Sequence, residues 1–492
     1  MNLDFTSIDA RIRGEMRRYG VPGMALAVVS GEETVYTGLF GVKDIETGVP
    51  PDARTRFACA SITKSFTASA LGILRDEGKL DWAEPVRRYL PGFSMRDTAA
   101  ADVTLWDMLS HNTGLPRHDM SWYNYNQTDF PTAEYVARIA QQPPNKPFRT
   151  GYEYNNFMYA AAAYAAEQIA GMPFRDFLRT RIFEPLGMSD TTCELAGLRD
   201  APNTAKPYKK QQDALVQAAY LNFDGMAGAG AINSTVADMA AWLAVNINGG
   251  AHKDVRILSE KTLAEIHTPR TVVPALPYGF VPQKPLAAYA FGWNAEPYRG
   301  RLALCHSGLT SGYSSYMTFM PAEKLGIVLL MNLHHSPFHF AAAAELFDHI
   351  LGGGDGTDWF AFYEARKHAM LRPQMEQNAR VESARRPEAR PTRPLEAFAG
   401  LYRHAGYGAL SVGLGADGLL LRYNGMSAVL RHSHDDTFDF VFAPDEPPNL
   451  LTASFHTPRG GETQTVAIPF EPSLTEPIVF ERVSAPCGQS GK

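Results

Sequence analysis

Three short pairs in this chain have the residue types of an acyl-transfer centre: Ser61 with Lys64, Tyr154 with Asn156, and His306 with Gly308. Positions i and i+3 share a helix face, so Lys64 would hold its amine one turn from the Ser61 hydroxyl. A serine hydroxyl attacks poorly until a neighbour takes its proton, and acylating it splits one hard hydrolysis into two easier steps. Lys64 and Tyr154 could share that proton traffic. Their ordinary pKa values, about 10.4 and 10, are too high for a base at neutral pH, so a hydrogen-bonded cluster must shift them. Which of the two is the resting base stays open in the sequence.

None of these pairs is specific alone. With 24 Ser and 13 Lys in 492 residues, about 0.6 Ser-x-x-Lys matches arise by chance. Tyr-x-Asn recurs at Tyr220 and Asn222, and His-x-Gly at His404 and Gly406. Position separates the copies. Tyr154 runs into an Ala-rich helical stretch over 159–170, whereas Tyr220 precedes a loop, and His404 falls in a different part of the chain as an expected surface residue.

The elements that must position these groups follow from periodicity. Ile8, Ile12 and Met16 predict a short helix, and the β-prone runs 24–29 and 34–40 predict a hairpin. Phe66, Ala70, Ile73 and Leu74 place a helix just after Ser61, which sets the hydroxyl near unpaired backbone N–H groups that favour negative charge. Residues 80–270 read as mainly helical, with a capping box at Thr104 and Asp107. Strand patterns return at 302–305, 313–319 and 325–331, followed by a helix over 338–351. Strands on both sides of a helical middle predict an α/β sandwich, an antiparallel sheet with flanking helices and an inserted all-helical lobe. Residues 372–394 carry a linker signature, and short strands over 395–485 predict a small antiparallel β-barrel-like domain before a tail at 486–492. The first domain is therefore read as 1–371.

Composition narrows the partners. The chain is 45% hydrophobic and 20% charged with a formal charge of -6, which suits a large soluble core and neither nucleic acid nor membrane. The N-terminus has no apolar signal region, so cytoplasmic residence is expected. Cys59, Cys193, Cys305 and Cys487 are widely spaced and read as reduced thiols. No cluster has metal-ligand spacing, and no cofactor or metal is expected.

The three pairs, in this order, resemble the serine β-lactamase and penicillin-binding-protein superfamily, and within it the class C-like serine hydrolases (peptidase S12-type) that include D-aminopeptidases and esterases. Supporting strings begin at Leu109, Glu184 and the Gly-rich Ala227, and the resemblance covers about residues 10–350. It implies Ser61 as nucleophile, Tyr154 as proton relay tuned by Lys64, Asn156 as a holder of Lys64 and a substrate amide, and His306 as the third-motif residue. It also implies an oxyanion hole from the backbone N–H groups of Ser61 and Leu309, with Gly308 beside it. Asp224 could bind a substrate amine, although a turn role is the plainer expectation.

Many relatives carry Lys-Thr-Gly where this chain has His306-Ser307-Gly308. Losing that cation weakens recognition of a substrate carboxylate such as that of a penicillin, and titration of His306 would add pH sensitivity near 6 to 7. The expected activity is thus a peptidase or amidase on small or D-amino-acid-containing, non-ribosomal peptides. The alternatives are a carboxylesterase or acyltransferase on small esters, and behind it a weak β-lactamase or non-catalytic acyl-binding sensor. The C-terminal domain resembles the lipocalin-like domains of peptidases in this group and would either restrict the cleft or serve stability or homo-oligomer formation.

Overall fold

The apolar run GMALAVVS forms a strand, Gly23–Ser30, buried on both faces because it lies inside an antiparallel sheet between Glu33–Gly41 and Leu325–Met331. Beyond Leu325–Met331 the sheet continues through Tyr313–Met320, Arg301–Thr310, Asn294–Tyr298, Ala287–Tyr289 and Thr271–Val273, eight strands in all. The structure, a computed structural model, describes residues 4–96, 103–126, 130–211, 214–274, 287–442, 449–458 and 461–483.

Side-chain alternation assigns the two faces of the sheet to two cores. Met24, Leu26 and Val28 join Ile327 and Leu329 beneath the helices Thr6–Tyr19 and Phe338–Leu351. Ala25, Ala27 and Val29 point the other way, into a larger core with the helices Thr63–Asp76, Asn156–Ala170 and Val236–Ile247. The helix Thr63–Asp76 is buried continuously from Thr63 to Leu74, with Phe66 stacked on Trp242 at 4.1 Å between ring centres. Its buried polar side chains are partnered, Ser65 Oγ donating to Ile62 O and Thr67 Oγ1 to Gly228 O, as burial requires.

The lobe is shorter than the helical pattern over 80–270. Helix Val236–Ile247 covers the sheet instead, since a Cβ on Gly326 would stand 2.9 Å from Leu243 and 3.0 Å from Ile247. The strand pattern at 302–305 extends to Arg301–Thr310, which puts His306 in mid-strand. The segment 372–394 is in large part helix, because Trp359–Ser383 runs through its first half with Pro373 inside.

Eight strands from Gly400–His404 to Ile478–Arg482 close into a C-terminal barrel. The strand patterns at 409–414, 419–423, 438–442, 451–455 and 465–470 in the sequence account for five of them; the other three, Gly400–His404, Met426–His434 and Ile478–Arg482, carry exposed Leu401, Val429 and Val479, which blur the alternation of apolar and polar positions. Aromatic rings fill the interior: Phe398 lies 5.0 Å from Phe455 and Tyr423 5.1 Å from Phe470. Cys59, Cys193 and Cys305 are buried free thiols, while Cys487 and the tail fall outside the described residues. Among the described residues no helix is long and apolar enough to cross a membrane.

Candidate active site

Ser61 lies in a 3-10 turn, Ala60–Ile62, that leads directly into the helix Thr63–Asp76. The turn is entered through Ala60 at φ +46°, a left-handed conformation that an L-residue adopts only under restraint. That restraint is visible. Cys59 N–H donates to Ile232 O, and the Thr63 hydroxyl donates to Ala60 O at 2.6 Å while accepting from Ile232 N–H.

Lys64 is wholly buried, and its Nζ lies 3.0 Å from Ser61 Oγ, 2.8 Å from Asn156 Oδ1 and 2.9 Å from Ala229 O. The last two atoms can only accept. A neutral amine has two hydrogens and one lone pair, so donating to Asn156 and Ala229 leaves the lone pair for Ser61. Desolvation, aided by the Arg117 guanidinium, holds Lys64 well below the usual lysine range, which favours that neutral form. Tyr154 OH donates to Ser61 Oγ at 2.9 Å. Desolvation pushes its phenol up to about 12 against the opposing pull of Arg117, so it stays protonated.

Asn155 caps the helix Asn156–Ala170, and its backbone N–H donates to His111 Nδ1 at 3.1 Å. This cap holds Tyr154 and Asn156 on either side of one turn. The helix can approach the Gly-rich turn Ala227–Gly230 because a Cβ on Gly228 would stand 2.3 Å from that of Ala163. The capping box at Thr104 and Asp107 is present and fixes the helix Leu105–Leu109 that precedes His111.

His306 is buried, and both ring nitrogens are occupied. Nδ1 lies 2.7 Å from Ser307 O, an acceptor, so Nδ1 carries the hydrogen and Nε2 accepts from Tyr289 OH at 2.9 Å. Burial, with Lys64 nearby, lowers its pKa to about 3, which removes the expected titration near 6 to 7. Its ring centre is 6.3 Å from that of Tyr154, with Tyr289 packed against both. Gly308 lies so close to the turn holding Ser61 that a Cβ would stand 2.0 Å from Cys59 O. The strand Asn294–Tyr298 pairs with Arg301–Thr310 only as far as Cys305, so that edge of residues 306–310 has no strand partner among the described residues. Leu309 presents its side chain to solvent there.

Asp224 stands apart from this cluster. It accepts from Leu195 N–H at 2.8 Å and lines a small neighbouring cavity of about 20 Å³ with Tyr220, Phe223, Gly230 and Thr310. Tyr220 is thus in that pocket wall and not in the Ser61 cluster. His404 is half-buried against Tyr407 and Phe480 in the barrel.

Residues 8–350 match the beta-lactamase family. The chain belongs to that family. This beta-lactamase-family serine hydrolase also matches a domain of unknown function, DUF3471, over residues 384–482, and here that domain is the eight-stranded barrel. It is 30% identical to the unguisins hydrolase of Aspergillus violaceofuscus, covering 96% of this chain and 89% of that one. A D-amino acid amidase from Ochrobactrum anthropi superposes with a TM-score of 0.58 at 25% identity, covering 70% of this chain and 98% of the amidase. The octameric penicillin-binding protein homologue from Pyrococcus abyssi has the same fold over 97% of this chain and all of its own, with a TM-score of 0.60 at 20% identity.

Several groups at this hydrolase's centre have no place among the sequence motifs. Asp119 accepts from Asn156 Nδ2 at 2.9 Å and from Trp122 Nε1 at 2.8 Å, and pairs with Arg117 at 2.6 Å. Tyr289 partners His306, and Ala229 contributes only its carbonyl. The charged triplet Arg117-His118-Asp119, directly after the family string at residues 109–115, was a usable signal; a main-chain carbonyl leaves none.

Proposed function

We propose that this chain hydrolyses amide bonds of small or D-amino-acid-containing peptides through an acyl-enzyme at Ser61. Neutral Lys64 accepts the Ser61 proton as Oγ attacks the carbonyl carbon, and the C–O bond forms. Backbone N–H groups of Ser61 and Leu309 receive the negative charge on the carbonyl oxygen; losing one such donor typically costs about 10²- to 10³-fold in rate. Tyr154 then donates to the leaving nitrogen and is recharged by Lys64. Water reverses the sequence to release the acid.

The observation that carries the amide reading is Tyr154, held as a protonated phenol 2.9 Å from Ser61 Oγ. An amine departs only when protonated, so a general acid at that point serves amides more than esters. Likeness to an unguisins hydrolase and to a D-amino acid amidase supports the same substrate class. Burial of His306 as a neutral ring weighs against a carboxylate anchor there and so against penicillins.

The test is a competitive panel of D- and L-aminoacyl p-nitroanilides, short-chain p-nitrophenyl esters and nitrocefin, with covalent capture by a fluorophosphonate. The expected result is preferential anilide cleavage and a phosphonyl mass on the Ser61 peptide that Ser61→Ala abolishes. Selective ester turnover would replace amidase by esterase, and labelling elsewhere would remove Ser61.

A further inference from the structure

Residues 117–126 pass the catalytic groups on one side and the barrel on the other. On the inner side Asp119 takes Asn156 Nδ2, Trp122 Nε1 and Arg117. On the outer side His118 N–H donates to Glu471 Oε2 at 2.7 Å, and the Tyr407 hydroxyl lies 2.6 Å from His118 Nδ1. Further along, Asn424 Nδ2 donates to Met120 O at 3.1 Å, and Tyr125 N–H to Asn424 O at 3.0 Å. Both faces of one short strap are therefore tied down, by different domains.

His118 itself is fully buried and sits at φ +48°. Such a conformation is strained for an L-residue and persists only where surrounding contacts impose it. Its Nε2 lies 3.0 Å from Pro143 O, which can only accept, so Nε2 carries the hydrogen and Nδ1 accepts from Tyr407. Glu471 is likewise buried and also accepts from the backbone N–H and hydroxyl of Ser473. The grip is directional at both ends.

We propose that the barrel is a positioning part of the active site: Tyr407 and Glu471 hold His118, His118 fixes Asp119, and Asp119 sets which end of the Asn156 amide faces Lys64. An asparagine side chain can present oxygen or nitrogen with little change in shape. A carboxylate can only accept, so Asp119 selects Nδ2 and leaves Oδ1 for Lys64. Reversed, Asn156 would offer an N–H to the amine, and the lone pair needed by Ser61 would be taken. The inference rests on the reading of Ser61 and Lys64 given above.

The experiment uses the full chain and the second-order rate of Ser61 labelling by a fluorophosphonate. Tyr407→Phe should slow labelling about tenfold, Glu471→Gln at least about threefold, and Asp119→Ala more than either. Because all three act along one route, the Tyr407→Phe, Asp119→Ala double variant should be no slower than Asp119→Ala within about twofold. Tyr402→Phe is the structural control: its hydroxyl donates to Phe398 O inside the barrel, away from the strap. It should lower thermal stability and leave labelling unchanged. Wild-type labelling of Tyr407→Phe, multiplied losses in the double variant, or equal slowing by Tyr402→Phe would each overturn the proposal. Labelling that survives Ser61→Ala would instead overturn the underlying site assignment.

Discussion

The catalytic centre and the barrel interior bury opposite kinds of surface. Around Ser61 the buried groups are an amine, an amide and two imidazoles, those of Lys64, Asn156, His111 and His306. Inside the barrel ring packs on ring, from Phe398 and Tyr402 to Phe470 and Phe480. Burying polar groups costs stability unless each is partnered, whereas burying aromatic area supplies it. The Ser61 cluster accepts that cost to hold Lys64 away from its ordinary protonation, and the barrel interior has no such task.

The sharpest way to break this contrast is at Tyr154. Tyr154→Phe keeps the ring and removes the proton donor, so kcat on an aminoacyl p-nitroanilide should fall by at least about 10²-fold with thermal stability nearly unchanged. A near-normal rate would take Tyr154 out of the mechanism. In the barrel the expectation inverts. Phe398→Ala should cost about 3–5 kcal/mol in denaturant unfolding, with kcat intact below the transition. Loss of rate without loss of stability would show that the barrel is not acting there as packing.

The buried imidazoles give a smaller, pH-dependent effect. His306 and His339 have folded pKa values lowered to about 3 by burial, and His111 is lowered in the same direction. Between about 3 and 6.5 the unfolded chain takes protons that the folded chain refuses. Their stabilising effect is therefore complete above about 6.5, declines as pH falls toward 3, and levels below it. Each group contributes up to about 1.4 kcal/mol per pH unit, measurable as a steep acid limb in the pH dependence of unfolding. His306→Asn should flatten that limb by about one group's share.

The smallest expected change concerns Arg117. Its side chain is 53% exposed, its guanidinium lies 4.7 Å from the Tyr154 ring centre, and its charge lowers the proton affinity of Lys64. Arg117→Gln should let Lys64 hold its proton to higher pH, moving the acid limb of kcat/KM upward by up to about one unit. A downward shift would mean that Lys64 is not the titrating base.

How much of this was legible in the sequence depended on whether side chains or backbone carried the function. Ser61, Lys64, Tyr154, Asn156 and His306 are named by type and order, and the structure brings all five into one cluster. The hairpin and the helix Phe338–Leu351 were likewise written in strong periodicity. Tyr289 and the Ala229 carbonyl were not, because a buried aromatic partner looks in sequence like any other aromatic and a main-chain carbonyl has no side-chain signature, whereas Asp119 was signalled only by the charged triplet Arg117-His118-Asp119. Lys64 illustrates the same limit: resemblance made Tyr154 the relay, whereas desolvation and two fixed acceptors point to the amine as resting base. The remaining barrel strands show a third cause, since Leu401, Val429 and Val479 put apolar side chains on the outer face and blur the alternation that marks a half-buried strand.

Closure of the barrel has a consequence for assembly. Its eight strands satisfy one another around the ring, so among the described residues the barrel offers no free ladder to a second copy. The catalytic sheet ends differently, on Glu33–Gly41 at one margin and Thr271–Val273 at the other. Extension of the eight-stranded sheet by a second copy would start from those margins, and at the first of them Glu33, with Glu32 in the preceding turn, disfavours a like-charged neighbour.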